Sequence, residues 1–355
     1  MSDKMGRKFT IICASVIFAL GSIVMALSPD RYFLVSGRII VGIGIGLSSM
    51  SVPMYIAESA PADKRGYYGA FAQAGAPVGV ILANLALIIT SSLVSEDFFL
   101  TWGWRIPFIA SVILIGISMY IQLNLEDTKA FKELETSNRE KQEAEAAKTI
   151  IRSPILEALR KYPKRIVLAA GAFLSVQVTF YILIAFLLAY GVASAEMSRD
   201  DMLTAILISA AVMVPLQFMF SAYSDRHGRR GIFMLGAGLT AVWAFIIFPL
   251  VDTGNFYLIV LAITGGLTFL AMMYGPQAAF FTELFSTEVR YSGASLGYQL
   301  GAIIGGAFAP MIAVTLWTEY GIFWVSVYIA FASLLALLSV FMLTETYKSD
   351  LSDTK

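Results

Sequence analysis

The chain has one cysteine, Cys13, and one histidine, His227. A single cysteine excludes a disulfide framework, and a single histidine excludes most histidine-based metal sites. Charge is also scarce. Only 14% of the 355 residues are Asp, Glu, Lys or Arg, where a soluble domain carries roughly 25%. The 25 basic residues balance the 25 acidic ones, so nucleic acid is not an expected partner. Period-two alternation is missing, which argues against a β-barrel. No Gly-rich loop ends in Gly-Lys-Ser/Thr, which argues against ATP drive. Gly42, Gly44 and Gly46 fall inside an apolar stretch with no strand before them, so they are not a dinucleotide loop. There is no His-Glu-x-x-His, no pair of deep aspartates and no Ser/His arrangement. An enzyme, a metal site and a bound cofactor are all unexpected.

Apolar residues are abundant instead. They make up 58% of the chain, and the mean hydropathy is +0.74. About 20 apolar residues cross the hydrocarbon core as a helix. Ten such stretches run near 9–27, 32–55, 67–91, 104–122, 166–190, 201–223, 231–250, 256–282, 291–317 and 322–343. The fold class is an all-α polytopic membrane protein. Lys and Arg accumulate on the cytoplasmic side of such proteins. With both termini cytoplasmic, eleven basic residues outside segment 123–165 lie inside, against Arg31, Arg105 and Arg199 outside. A cell-membrane, multi-pass location with both termini in the cytoplasm is therefore expected. Segment 123–165 is the one long polar stretch. Its Glu/Lys run, with pairs such as Glu135 and Arg139, reads as a solvated helix that tethers two halves.

The halves repeat. Asp3-Lys-Met-Gly-Arg-Lys8 recurs as Asp225-Arg-His-Gly-Arg-Arg230 at an offset of 222 residues, and Glu58 and Arg65 recur as Glu283 and Arg290 at an offset of 225. Parallel repeats are a transporter signature, with the substrate site between the copies. The copies are unequal, four spans against six. Symmetry thus leads to an expectation of two further helices, roughly 60 residues, before Met1; a natural ten-span chain is the rival reading. The organisation expected is an incomplete N-terminal bundle over 1–122, a cytoplasmic linker over 123–165, a six-helix bundle over 166–345 and a cytoplasmic tail over 346–355.

The duplicated motifs read as a cytoplasmic gate. Gly6 and Gly228 permit tight turns. Arg7 and Arg229 can reach carboxylates at neighbouring helix ends, where Glu58 and Glu283 sit. Asp3, Asp225, Arg65 and Arg290 complete the set. Buried ion pairs of this kind suit switches better than they suit stability. Gly293, Gly297, Gly301 and Gly305 form a smooth stripe for close helix packing, and Gly75 and Gly79, with Pro77, suggest a second close approach. Polar residues deep in spans are costly unless they face protein or a cavity. Arg38, Gln73, Asn84, Gln177, Tyr181, Gln217, Tyr274, Gln277, Tyr298 and Gln299 are such residues, and of these Arg38, Gln73, Gln177, Tyr181, Tyr274, Gln277 and Gln299 are the seven substrate-site candidates. Arg38 is the one charge well inside a span and invites an anionic solute. No carboxylate lies equally deep.

Four stretches carry a family likeness: Trp102-Gly-Trp-Arg-Ile-Pro-Phe108, Leu125-Glu-Asp-Thr-Lys-Ala-Phe131, Tyr274-Gly-Pro-Gln-Ala-Ala-Phe-Phe281 and Arg290-Tyr-Ser-Gly-Ala-Ser-Leu-Gly-Tyr-Gln299. With the duplicated loop motif, the chain resembles the major facilitator superfamily, and within it the metabolite:proton symporters, which include carriers of shikimate, 2-oxoglutarate, citrate and proline or betaine. The resemblance implies two six-helix bundles, alternating access around a central cavity, and uptake of a small carboxylate or zwitterion with protons. The chain is expected to work as a monomer in the lipid bilayer. Many relatives carry a Glu where this chain has Ser48, and some carry an acid where it has Val176. A transporter-derived sensor, or an inactive carrier that binds solute without moving it, is the alternative.

Overall fold

Long apolar stretches in a chain this poor in charge satisfy their backbone groups internally as helices. In the computed structural model, which describes residues 7–124, 154–286 and 289–347, the described residues are almost wholly helical and contain no strand. Ten segments among them are long and apolar enough to cross a membrane. The first half contains α1 (Arg7–Ala26), α2 (Arg31–Ser59), α3 (Arg65–Leu93), the short α4 (Glu96–Thr101) and α5 (Ile106–Asn124). The second half begins with the short α6 (Pro154–Lys161) and the span α7 (Pro163–Tyr181), which continues through a π turn (Ile182–Phe186) into α8 (Leu187–Ser194). It continues with α9 (Arg199–His227), α10 (Arg229–Val251) and α11 (Phe256–Glu283). A second interrupted span follows: α12 (Arg290–Ala302), a π turn (Ile303–Ala307) and α13 (Ala309–Tyr320). The last is α14 (Ile322–Met342). The sequence pattern showed each interrupted span as one continuous stretch.

Local chemistry sets the helix boundaries. Asp30 caps α2 by accepting from the amides of Tyr32 and Phe33, and Asn255 caps α11 through Tyr257 and Leu258. Gly228 joins α9 to α10 with φ of 102°, a conformation that favours glycine. Arg105 lies over the Trp104 ring and donates to the Ser28 carbonyl at 2.7 Å, which ties the start of α5 to the α1–α2 turn.

Within the first half, α1 packs on α2 and α5. Within the second, α7 packs on α12 and α14, and α11 lies between α9 and α10. The halves meet where α3 lies against α9 and α11, and where α2 lies against α12 and α11. The glycine stripe meets its expected role. A Cβ at Gly301 would come within 2.7 Å of the Ala170 carbonyl, one at Gly305 within 2.7 Å of the Leu174 carbonyl, and one at Gly297 within 2.7 Å of the Ala169 Cβ. Gly75 and Gly79 differ: a Cβ at either would meet nothing within 4 Å. They line open space, although Pro77 between them is buried.

Overpacking a close crossing costs roughly 1–3 kcal/mol. Gly301→Leu is therefore expected to lower the melting temperature of the detergent-purified protein, whereas Gly75→Ala leaves it nearly unchanged; differential scanning fluorimetry reads both.

Candidate functional site

Two structures stand out along the seam between the halves. One is a charge cluster at the helix ends that carry residues 59–65, 225–229, 283–290 and 343–347, here termed the latch end. The other is a cavity deeper in the bundle.

At the latch end, Asp225 is the junction. Its carboxylate accepts from the amides of Gly66 at 2.7 Å and Tyr67 at 2.8 Å, in the first turn of α3, and from Arg229 Nη1 at 2.6 Å. A carboxylate at a helix N-terminus meets orphan N–H donors and the positive end of the helix dipole. Gly66 is required for this approach, because any Cβ there would collide with the Arg229 guanidinium and lie 2.8 Å from Asp225 Oδ1. Arg229, almost fully buried, also binds Ser224 Oγ at 2.7 Å and Glu283 at 3.2 Å. Glu283 accepts from Thr346 Oγ1 at 2.7 Å. Glu345 accepts from the amides of Arg229 at 2.9 Å and Arg230 at 3.0 Å, which caps α10 from the chain's far end. Across the seam, Arg290 Nη1 lies 3.7 Å from Glu58 Oε1, with both side chains buried. Arg65 is buried at the start of α3, within electrostatic reach of Glu283. The duplicated Glu/Arg motif therefore pairs between copies. Asp3, Gly6 and the side chain of Arg7 lie outside the described residues, as does 125–153 of the linker. Glu345 and Thr346 were not among the sequence candidates. An acid flanked by two threonines directly after the last span was the available signal.

The cavity, of about 960 Å³, is lined from both halves. Arg38, Ser48 and Ser49 of α2 and Gln73 of α3 face Gln177 and Tyr181 of α7, Tyr274 of α11, and Tyr298 and Gln299 of α12. Six of the seven sequence candidates are brought together here. The seventh, Gln277, is not in the lining; it is buried on α11 one turn beyond Tyr274, and its amide has no protein partner among the described residues. Tyr298, a deep polar residue outside those seven, also lines the cavity, as do Ser48 and Ser49, whereas Asn84 and Gln217 are buried elsewhere. Hydroxyl and amide groups dominate the polar wall, and no carboxylate is among the lining residues. Tyr274 and Tyr298 both line this wall, and the Tyr298 ring packs on Phe173 at a tilt of 30° with centroids 3.9 Å apart. Both π turns border the cavity: Ile303, Gly306 and Ala307 line it, and Tyr181 immediately precedes the other. Such turns re-aim side chains and occur often at functional sites. Arg38 also borders a second, apolar cavity of about 830 Å³ among the first-half helices.

Polar bonds across the seam form the cavity's floor. Gln73 Nε2 donates to the Tyr274 carbonyl at 3.1 Å. Gln299 Nε2 donates to Ser49 Oγ at 2.8 Å and to the Gly46 carbonyl at 3.2 Å, and Tyr291 OH donates to the Leu47 carbonyl at 3.0 Å. On α2 these partners fall between 46 and 58, and on α3 between 66 and 73, the portions nearer the latch end. The halves are closed toward the latch end and have no such polar contact beyond the cavity among the described residues.

The chain matches the family described as "Sugar (and other) transporter" over residues 1–354. It belongs to that family, within the major facilitator superfamily. Its relatives include the inner membrane metabolite transport protein YhjE of Escherichia coli (strain K12), 30% identical over 97% of this chain and 79% of that protein. The shikimate transporter of the same organism is 26% identical over 98% of this chain and 80% of that one. Among solved structures, the proton:xylose symporter XylE superposes with a TM-score of 0.78 at 20% identity, over 97% of this chain and 82% of that one. The chain is thus a multi-pass membrane transporter of the major facilitator fold, in a family of transporters rather than enzymes.

Removing one member of a buried charge pair costs about 3–5 kcal/mol. Asp225→Asn and Gly66→Val are each expected to open the latch end, read as faster alkylation of a cysteine placed at Ser221 in a Cys13→Ser background. Glu345→Gln, which leaves the cross-half contacts in place, is expected to raise that rate less.

Proposed function

We propose that this transporter moves a small organic solute bearing a carboxylate, alone or within a zwitterion, by alternating access between the two halves. Arg38 is the observation that carries the reading. It is a guanidinium facing the central cavity roughly 10 Å along α2 from its first residue, on a wall whose other polar side chains are amides and hydroxyls. A guanidinium is the side chain best suited to bidentate recognition of a carboxylate. Gln177, Tyr181, Gln299 and the serines of α2 offer donors and acceptors to hydroxyl or ammonium groups elsewhere on the solute. The likeness to a shikimate transporter adds support, since shikimate is a hydroxylated carboxylate.

The latch serves as the gate. Asp225, Arg229, Glu283, Arg290, Glu58, Arg65 and Gly228 hold one arrangement in which solute reaches the cavity from the far side only. Release of the cross-half contacts exposes the cavity to the latch end. The excess of Lys and Arg around residues 64–65, 160–165, 226–230 and 290, against Arg31, Arg105 and Arg199 at the other end, supports a cytoplasmic latch end and cytoplasmic termini. The described conformation is then outward-facing. Proton coupling is part of the proposal. The cavity lining contributes tyrosines but no carboxylate; among the described residues the buried carboxylates of the latch, Asp225, Glu283 and Glu58, are candidates to carry the proton, and the two helices expected before Met1 are the other source.

Counterflow of labelled shikimate and other small organic acids into proteoliposomes tests the proposal. The expected outcome is saturable exchange that Arg38→Gln abolishes and Arg38→Lys weakens by at least tenfold, about 1.4 kcal/mol or more. Binding of the acid to the purified protein with no exchange would instead favour a solute-binding sensor over a carrier.

A further inference from the structure

The short helix α6 is bound on one side only. At about 100° per residue, its eight residues sort into three faces. Ala158 is fully buried, where α6 meets α12 and α7. On one flank of Ala158, Glu157 and Lys161 form an ion pair of 2.7 Å, with Lys161 half exposed. Ile155, Leu156 and Leu159 occupy the remaining arc, and all three are exposed, Leu156 to 68%. Three large aliphatic side chains held outward on one turn of a helix require a covering.

Position and charge indicate what covers them. The helix carrying the first span of the second half starts at Pro163, separated from α6 by Tyr162 alone, so α6 sits at the latch-end tip of that span. Its attachment there is rigid. Tyr162 packs edge-on against Phe285, the Arg165 guanidinium lies 5.1 Å over the Tyr162 ring, and Arg165 Nη1 donates to the Leu284 carbonyl at 2.7 Å. Four cations, Arg160, Lys161, Lys164 and Arg165, fall within six residues, and Glu157 is the single acid of the helix. Arg160 flanks the aliphatic arc, and Arg160 and Lys164 are exposed. An apolar arc bordered by cations at a membrane boundary is the pattern of a helix lying in the interface. The aliphatic stems of Arg and Lys extend such an arc while their heads remain among phosphates.

We propose that α6 is an interfacial anchor for anionic lipid. Ile155, Leu156 and Leu159 enter the acyl boundary of the latch-end leaflet, and Arg160 and Lys164 bind the phosphates of anionic headgroups. This surface is separate from the solute cavity and does not depend on which solute is carried. It has a mechanical consequence, since α6 rests on α12, whose first residue Arg290 forms the Glu58 pair. The lipid surface thereby fixes the second half against which the gate works.

The test uses the full chain with Cys13→Ser and nitroxide labels at Leu156→Cys, Leu159→Cys or Glu157→Cys. The protein is placed in nanodiscs of phosphatidylcholine alone or with a third of the lipid as phosphatidylglycerol. Labels at 156 and 159 are expected to be open to oxygen and shielded from an aqueous nickel reagent by several-fold relative to 157, more so with phosphatidylglycerol. In unlabelled protein, phosphatidylglycerol is expected to raise the melting temperature, and Arg160→Gln with Lys164→Gln to remove a large part of that gain. Each cation contributes roughly fivefold in preference for the anionic surface. Equal nickel access at 156 and 157 would overturn the proposal and assign the aliphatic arc to water or a protein partner. Equal behaviour of the parent and the double Gln variant in the two lipids would overturn the anionic-lipid assignment.

Discussion

One carboxylate carries much of the cross-half polar contact at the latch end. Asp225 leaves the end of α9, crosses the seam and accepts the first free amides of α3 while holding Arg229 in place. The interaction is strong because it is dry and charge-assisted on both sides. It is also breakable, since the charges it buries gain hydration once the seam parts. Gly66, Gly228, Ser224 and Thr346 make sense only around this point: two remove bulk or turn the chain, and two supply hydroxyls to the same charged network.

Among the described residues, polar contacts between the halves are confined to one end. The cavity follows from that asymmetry. Its floor is a small number of bonds from glutamine and tyrosine side chains to backbone carbonyls of the opposite half, together with the Gln299–Ser49 contact. Such bonds break without leaving a charge stranded. The cavity thus has a floor of low electrostatic cost above a latch of high cost, and the latch holds the closed end closed.

Much of this was legible in the sequence. Ten spans, the glycine stripe and the duplicated motif rest on composition and spacing, which hold whatever the helices pack against. The cavity candidates rest on the expense of placing Gln, Tyr or Arg in a bilayer, and six of the seven line one space. Gln277 is the instructive exception. It is as polar and as deep as Gln73, but its phase on α11 turns it away from the opening, and phase relative to neighbours is a tertiary property. The π turns were illegible for a related reason, since they answer to the crossing of α7 and α12 and leave no mark on hydropathy. Gly75 and Gly79 carried the same small-residue signal as Gly301 and Gly305, yet one pair faces a void and the other a backbone. Spacing alone does not say which.

The pairing of Glu58 with Arg290 has a consequence for how such a chain is assembled and inherited. Each copy of the motif supplies a carboxylate to one partner and an arginine to another across the seam, so each half carries one member of each cross-half contact. A half synthesised alone lacks the cross-half contact between Glu58 and Arg290. The contact works as an address label, because it forms only when the two copies meet in one relative orientation. Substitutions at these positions are then constrained in pairs more than two hundred residues apart, and the two halves inherit their history jointly.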